Sequence, residues 1–170
     1  MFEEEQEDGN GAFKYRYDKP LKEKARDLFR IVQALSEDFP QEEGLQAQIG
    51  FMCQDVGTIN AKIAGATGDT LYSIKMQNAA LIRKAAMDLY VSKHSFSEVG
   101  YSNMQYFDLL RNTLDEFREI FIDWVDSFDK WNYVKDEWGL FNPSGVHARD
   151  KDPDDDIPFK NPLNPNNDQD

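Results

Sequence analysis

The residues most easily interpreted as a chemical site are six carboxylates in the fourth apolar segment of the chain. They are Asp115, Glu116, Glu119, Asp123, Asp126 and Asp129. Clustered acids of this kind hold Mg²⁺ in all-helical enzymes that hydrolyse nucleotides. However, Glu116 and Asp123 are one heptad apart, as are Glu119 and Asp126, and both pairs point away from the apolar side of the predicted helix. Because metal sites in helix bundles project inward, we interpret these acids as a solvated face.

Histidine and cysteine are too few for the common metal sites. The chain has two histidines and one cysteine, whereas a structural zinc site needs four ligands. A ferritin-like site needs Glu-x-x-His pairs, but Val91 and Ser144 stand three positions before His94 and His147. No glycine-rich phosphate loop is present, so we expect no cofactor. His94 falls in a predicted loop, which argues against a phosphohistidine, and Cys53 is expected to be a buried structural thiol.

Asn78 is a polar residue inside a predicted apolar stripe, between Ile74 and Leu81. If its amide is buried, it needs hydrogen-bond partners. One interpretation is a ligand-binding polar cluster that Asn78 forms with Lys75 and Arg83. The other is a structural asparagine that fixes the register of neighbouring helices, as in coiled coils. The second role is the commoner one, and the sequence leaves both open.

Charge limits the classes of partner. The formal net charge is -13, with five acidic and no basic residues in 1–10 and seven aspartates in 142–170. Such a chain repels phosphate backbones and anionic lipid, so we expect neither nucleic acid nor a membrane as a partner, whereas a basic protein would be attracted. The N-terminus is acidic, whereas that of a signal peptide would be basic. No stretch approaches the ~20 apolar residues of a membrane-spanning helix. With a single cysteine as well, we expect a cytoplasmic protein.

Four segments carry apolar residues at alternating three- and four-residue spacing, which is typical of amphipathic helices. Proline, glycine and capping signals predict that these helices cover residues 20–39, 42–65, 70–92 and 103–138. The fourth stripe is the clearest, and it consists of Phe107, Leu110, Leu114, Phe117, Phe121, Trp124, Phe128 and Trp131. No alternation typical of strands competes with this interpretation.

These helices predict an all-α fold, an antiparallel up-down-up-down four-helix bundle, because the connections between them are short. The bundle is expected to span 18–141, with an acidic N-terminal tail at 1–17 and a Pro/Asp/Asn-rich, extended or disordered tail at 142–170. Gly50 and Gly57 lie seven residues apart, which predicts close packing of the second helix against a neighbour.

The end of the fourth segment holds more aromatic residues than one stripe can bury. Ile122, Tyr133, Trp138 and Phe141 therefore either enlarge the core or form a surface for self-association or a partner. Within the C-terminal tail, residues 152–159 include Ile157 and Phe159 as candidate anchors beside prolines. That segment either docks into a groove of its own bundle or is disordered.

Packing surfaces are plentiful in this sequence, whereas recognisable catalytic motifs are missing. We therefore expect a non-catalytic helical-bundle interaction or scaffold protein that associates with itself or with a protein partner. One alternative is a small-molecule-binding or metal-dependent enzyme with a polar cluster around Asn78. Another is an acidic binder of a basic protein, whose affinity would fall with salt.

Overall fold

A computed structural model of the chain describes residues 9–38, 43–98, 101 and 104–151, and the side chains of 17–38, 44–96, 101 and 104–151. Within these ranges the chain forms four helices and no strand, which confirms the all-α prediction. The helices are α1 (Gly9–Glu37), α2 (Glu43–Gly68), α3 (Tyr72–Glu98) and α4 (Gln105–Asp126). Residues 1–8 of the predicted acidic tail and 152–170 of the C-terminal tail lie outside the described residues.

The packing of the helices is consistent with a four-helix bundle. α1 contacts both α2 and α4, α2 packs extensively on α3, and α3 and α4 form the weakest of the four helix contacts. The up-down order of the helices stays a prediction. The apolar stripes of α1 and α2 line the core at the positions predicted from their spacing, namely Leu21, Ala25, Leu28, Val32 and Leu35 in α1 and Leu45, Ile49, Met52, Val56, Ile59 and Ile63 in α2.

The predicted start of the first helix near Pro20 is wrong, because α1 begins at Gly9 and carries Pro20 in its interior. An interior proline removes one backbone hydrogen bond and is unfavourable by itself. Tertiary contacts hold the turn that precedes it. Tyr17 packs against the core, and Asp18 is buried and bonded to α4.

The predicted loop at 93–100 is also wrong, because α3 continues to Glu98. Phe96 is buried, and its ring lies 4.9 Å from that of Phe107 and 6.5 Å from that of Tyr101. This aromatic contact stabilises the last turn and a half of α3. His94 is consequently an exposed helical residue, so its supposed loop position no longer argues against a phosphohistidine.

α4 ends at Asp126, well before the predicted stop at Gly139. Side chains compete for the backbone at that point: the Ser127 hydroxyl donates to the carbonyl of Trp124 at 2.6 Å, and the Asp129 carboxylate accepts the backbone N–H of Trp131 at 3.0 Å. Phe128 remains buried after the helix has ended. Trp131, predicted to belong to the apolar stripe, is fully outside the core.

Two further packing predictions fail on α2 and α3. Gly50 and Gly57 are exposed, and a Cβ atom on either would meet no atom within 4 Å, so neither glycine permits a close helix contact. Ile74 and Leu81 of α3 are more than one-third exposed. They lie beside the buried stripe of α3, which instead contains Ala79, Ile82, Ala85, Leu89 and Phe96.

A buried hydrogen bond joins the first and last helices. The indole Nε1–H of Trp124 donates to Oδ1 of Asp18 at 2.7 Å, and both side chains are buried. Trp124 also belongs to a line of rings along α4, with centroids 6.0 Å apart for Phe117 and Phe121, 5.7 Å for Phe121 and Trp124, and 4.6 Å for Trp124 and Phe128. This bond therefore fixes the aromatic side of α4 against α1.

We predict that Trp124→Phe lowers the free energy of unfolding by about 3 kcal/mol, because it leaves the buried Asp18 carboxylate without its indole donor. Asp18→Asn should cost only about 1 kcal/mol, since an amide oxygen still accepts the bond. Urea unfolding followed by circular dichroism measures both. Trp124→Phe also removes ring volume, so it is repeated in an Asp18→Ala background, where the packing loss alone remains. Equal costs in the two backgrounds would contradict a coupling between these side chains.

Candidate interaction surfaces

The C-terminal segment, residues 127–151, is irregular but closely hydrogen-bonded. The Asp136 carboxylate accepts the backbone N–H groups of Phe141 and Leu140 at 2.9 Å and of Trp138 at 3.0 Å. These bonds, that from Phe141 foremost, lower the pKa of Asp136. The Asn142 side chain closes the same loop, because its Oδ1 accepts the backbone N–H of Asp136 at 2.7 Å and its Nδ2 donates to the carbonyl at 2.8 Å.

This segment is attached to the bundle where α3 begins. The backbone N–H of Tyr72 donates to the carbonyl of Asn132 at 2.7 Å, and the Asn132 side chain donates to the carbonyl of Thr70 at 3.0 Å. Phe128, at the start of the segment, is buried in the core, with the Lys75 ammonium 4.7 Å from its ring centroid. The backbone of the segment is therefore held in place at both its internal loop and its base.

Four large apolar side chains of the segment nevertheless face solvent. Their exposed fractions are 90% for Trp131, 60% for Val134, 88% for Trp138 and 74% for Leu140. We call these four residues the C-terminal apolar surface. Tryptophan is highly buried on average in folded proteins, and exposed apolar groups gathered on one segment mark interaction sites. Val134, Trp138 and Leu140 border a crevice of about 510 Å³ whose opposite wall includes Leu71 and Ile74 of the bundle.

The four residues predicted to form a partner surface lie in different parts of the structure. Trp138 is exposed, and Phe141 is partly buried in the crevice beside it. Tyr133 is partly buried against the core. Ile122 is half-exposed, but it lies in a groove between α3 and α4. Trp131 was missed because its spacing matched the stripe of α4, although Asp129 two residues earlier is the signal of an Asx turn.

The three residues of the predicted polar cluster, Asn78, Lys75 and Arg83, have different described contacts. The Asn78 amide donates to the Ile74 carbonyl of its own helix at 3.1 Å and lies against Gly65. Lys75 lies over Phe128. Arg83 is exposed at the groove between α3 and α4. Nothing in this arrangement converges on a common ligand.

A crevice of about 480 Å³ between α2 and α3 contains the most perturbed carboxylate. Partial burial, together with the nearby negative charge of Asp88, raises the pKa of Asp55 to about 6, although Lys84 opposes the shift. Lys84 and Asp88 form an ion pair, and Gln48 Oε1 is buried there without a hydrogen-bond partner. Within the described ranges, no three His, Cys, Asp or Glu side chains are grouped so that they could hold a metal ion.

The outer face of α2 has no charge at any exposed position whose side chain is described. The exposed residues are Gly44, Ala47, Gly50, Phe51, Cys53, Gln54, Gly57, Ala61, Ala64, Gly65 and Gly68. Cys53 is thus exposed rather than buried, which corrects the predicted structural thiol. Charged residues make up 30% of the chain, and exposed charges normally oppose association. This face lacks them and is therefore a second candidate surface for association.

We predict that Asp55→Asn raises the free energy of unfolding by about 1 kcal/mol at pH 7.5, a value discounted because much of the side chain is exposed. The folded-state pKa of Asp55, about 6, exceeds the ordinary 3.8, so the folded protein retains the carboxyl proton to higher pH than the unfolded chain does. The free energy of unfolding of the parent therefore falls as the pH rises from about 4 to 6. The advantage of the variant should vanish at pH 4. Urea unfolding at both pH values tests this, with Glu23→Gln on exposed α1 as the charge-matched control; an advantage independent of pH would contradict it.

None of the described helices is long and apolar enough to cross a membrane. No family model matches the chain, and neither the curated proteins nor the solved structures contain a significant match to it.

Proposed function

We propose that this protein is a non-catalytic interaction or scaffold protein that binds a second copy of itself through the C-terminal apolar surface. The observation that carries the proposal is the exposure of Trp131 and Trp138, at 90% and 88%, although the backbone N–H of each is hydrogen-bonded to the aspartate two residues earlier. An apolar side chain on a rigid support loses little conformational freedom when a partner covers it. Exposed rings of this kind are the residues that most often dominate protein interfaces.

The area of this surface suits a modest dimer. Each tryptophan can bury about 150–250 Å². In a two-fold dimer each copy contributes both rings, so the four tryptophans bury on the order of 800 Å². Val134 and Leu140 of both copies raise the total to about 1,200 Å², the lower end of the range for stable interfaces. We therefore expect a dimer that dissociates on dilution.

The salt dependence distinguishes this proposal from the acidic-binder alternative. Two copies that each carry a net charge of -13 repel one another, and added salt screens that repulsion. An apolar self-contact should therefore strengthen between 50 and 300 mM salt, whereas affinity for a basic protein would weaken. Binding to a basic partner stays a prediction, and the dispersal of Asn78, Lys75 and Arg83 gives the enzyme alternative no support.

We predict that sedimentation equilibrium of the full chain detects a reversible dimer whose dissociation constant rises at least tenfold in the Trp131→Ser/Trp138→Ser variant. Both substitutions leave the backbone donors to Asp129 and Asp136 in place, so the fold should survive, which circular dichroism checks. Phe51→Ser on α2 is the matched control, since it also removes an exposed ring, and it should dimerise like the parent.

Two outcomes would contradict the proposal. One is a parent chain that stays monomeric at millimolar concentration. The other is a dimer that tolerates the double tryptophan substitution but is abolished by Gly57→Arg. A side chain at Gly57 enters open space in the single chain, so loss of the dimer in that variant would place the contact on the uncharged face of α2 instead.

A further inference from the structure

The groove between α3 and α4 is a second apolar recess on the opposite side of α4 from α1. It has a volume of about 470 Å³ and lies between the two neighbouring helices that pack least closely on each other. Its floor includes Met87, Tyr90, Phe121 and Ile122. Met87 and Ile122 are each about half exposed, so the described residues leave this apolar floor open to solvent.

The rim of this groove carries two arginines and one carboxylate, although the chain as a whole is strongly acidic. Arg83 of α3 and Arg118 of α4 both line it. Arg118 pairs with Asp115, which lines the same groove, at 3.2 Å and with Glu119 at 3.4 Å, whereas Arg83 forms no ion pair within the described residues. Arg111 stacks at 4.5 Å on the ring of Tyr90, and its Nε is buried without a hydrogen-bond partner. The groove therefore suits a ligand that combines carboxylates with large apolar side chains.

The described chain ends beside the first half of α3. Lys135 donates from Nζ to the carbonyl of Asp150 at 2.7 Å, and it borders the same crevice as Gln77 of α3. Arg83 lies six residues further along α3, a rise of about 9 Å. Four to six extended residues span about 13–20 Å, which exceeds that axial rise, so the length of the tail allows it to extend as far along α3 as Arg83.

We propose that residues 152–159 of this chain, DPDDDIPF, occupy the groove between α3 and α4. The three consecutive aspartates, 154–156, face Arg83 and Arg118, and Ile157 and Phe159 lie on the apolar floor. Pro153 and Pro158 favour an extended conformation, which lowers the conformational cost of binding in a groove. Because the segment is tethered, its effective concentration is on the order of millimolar, which offsets the repulsion from the acidic body.

Methionine methyl spectroscopy of the full chain tests this contact directly. The sequence has five methionines, of which Met87 lies in the groove and Met52 is buried in the core. With ¹³C-methyl methionine, we expect a nuclear Overhauser cross-peak between the Met87 methyl group and the ring of Phe159. Phe159→Ala should abolish that cross-peak and shift the Met87 signal while leaving Met52 unchanged. Arg83→Glu should move Met87 in the same direction, because it repels the aspartates.

The matched control is Leu163→Ala, which removes an apolar side chain of the same tail outside the proposed segment and should leave Met87 unchanged. A Met87 signal identical in the parent and in Phe159→Ala would overturn the proposal. So would a signal that changes with protein concentration and ignores Phe159, since a second copy would then occupy the groove. This contact does not depend on the C-terminal apolar surface, so either proposal can fail while the other stands.

Discussion

The hydrogen bond between Trp124 and Asp18 is the constraint on which the rest of the arrangement depends. A carboxylate in an apolar interior is tolerable only with a well-placed donor, and the indole of Trp124 supplies one at 2.7 Å. The bond therefore holds the aromatic face of α4 against α1. The other edge of α4 packs only loosely on α3. The same bond holds the turn before Pro20 against the core, so α1 can continue through a residue that would otherwise end it.

Carboxylates elsewhere in the chain act mainly on the backbone and on neighbouring cations. Asp129 and Asp136 accept backbone N–H groups and so turn the chain away from α4 and across the end of the bundle. Glu116, one of the acids that superficially suggests a metal site, pairs instead with Lys24 of α1 at 2.6 Å. Aspartates thus fix the backbone of the C-terminal segment that carries the exposed tryptophans. The net negative charge of the chain also produces the repulsion that any self-association must overcome.

The parts of the fold that sequence reasoning predicted are those set by periodicity. The stripes of α1 and α2 are buried as expected, since helical spacing alone determines which side faces the core. The end of α4 was not predictable in this way, because the stripe continues in sequence to Trp131 while Ser127 and Asp129 divert the backbone. Gly57 was misjudged because a small residue suits both a close contact and an open surface. Of the interaction residues, Trp138 was anticipated from aromatic density, whereas the separation of Ile122 from it depends on the gap between α3 and α4.

The three tryptophans of the chain divide into one internal ring and two external ones. Hydrogen exchange of their indole N–H groups, followed by NMR on the full chain, measures this division directly. Trp124 should exchange only through global unfolding, because its N–H is buried and bonded to Asp18. Trp131 and Trp138 should exchange at nearly the rate of free indole at micromolar concentration and more slowly at millimolar concentration. Exchange of Trp124 as rapid as that of the other two would contradict the account.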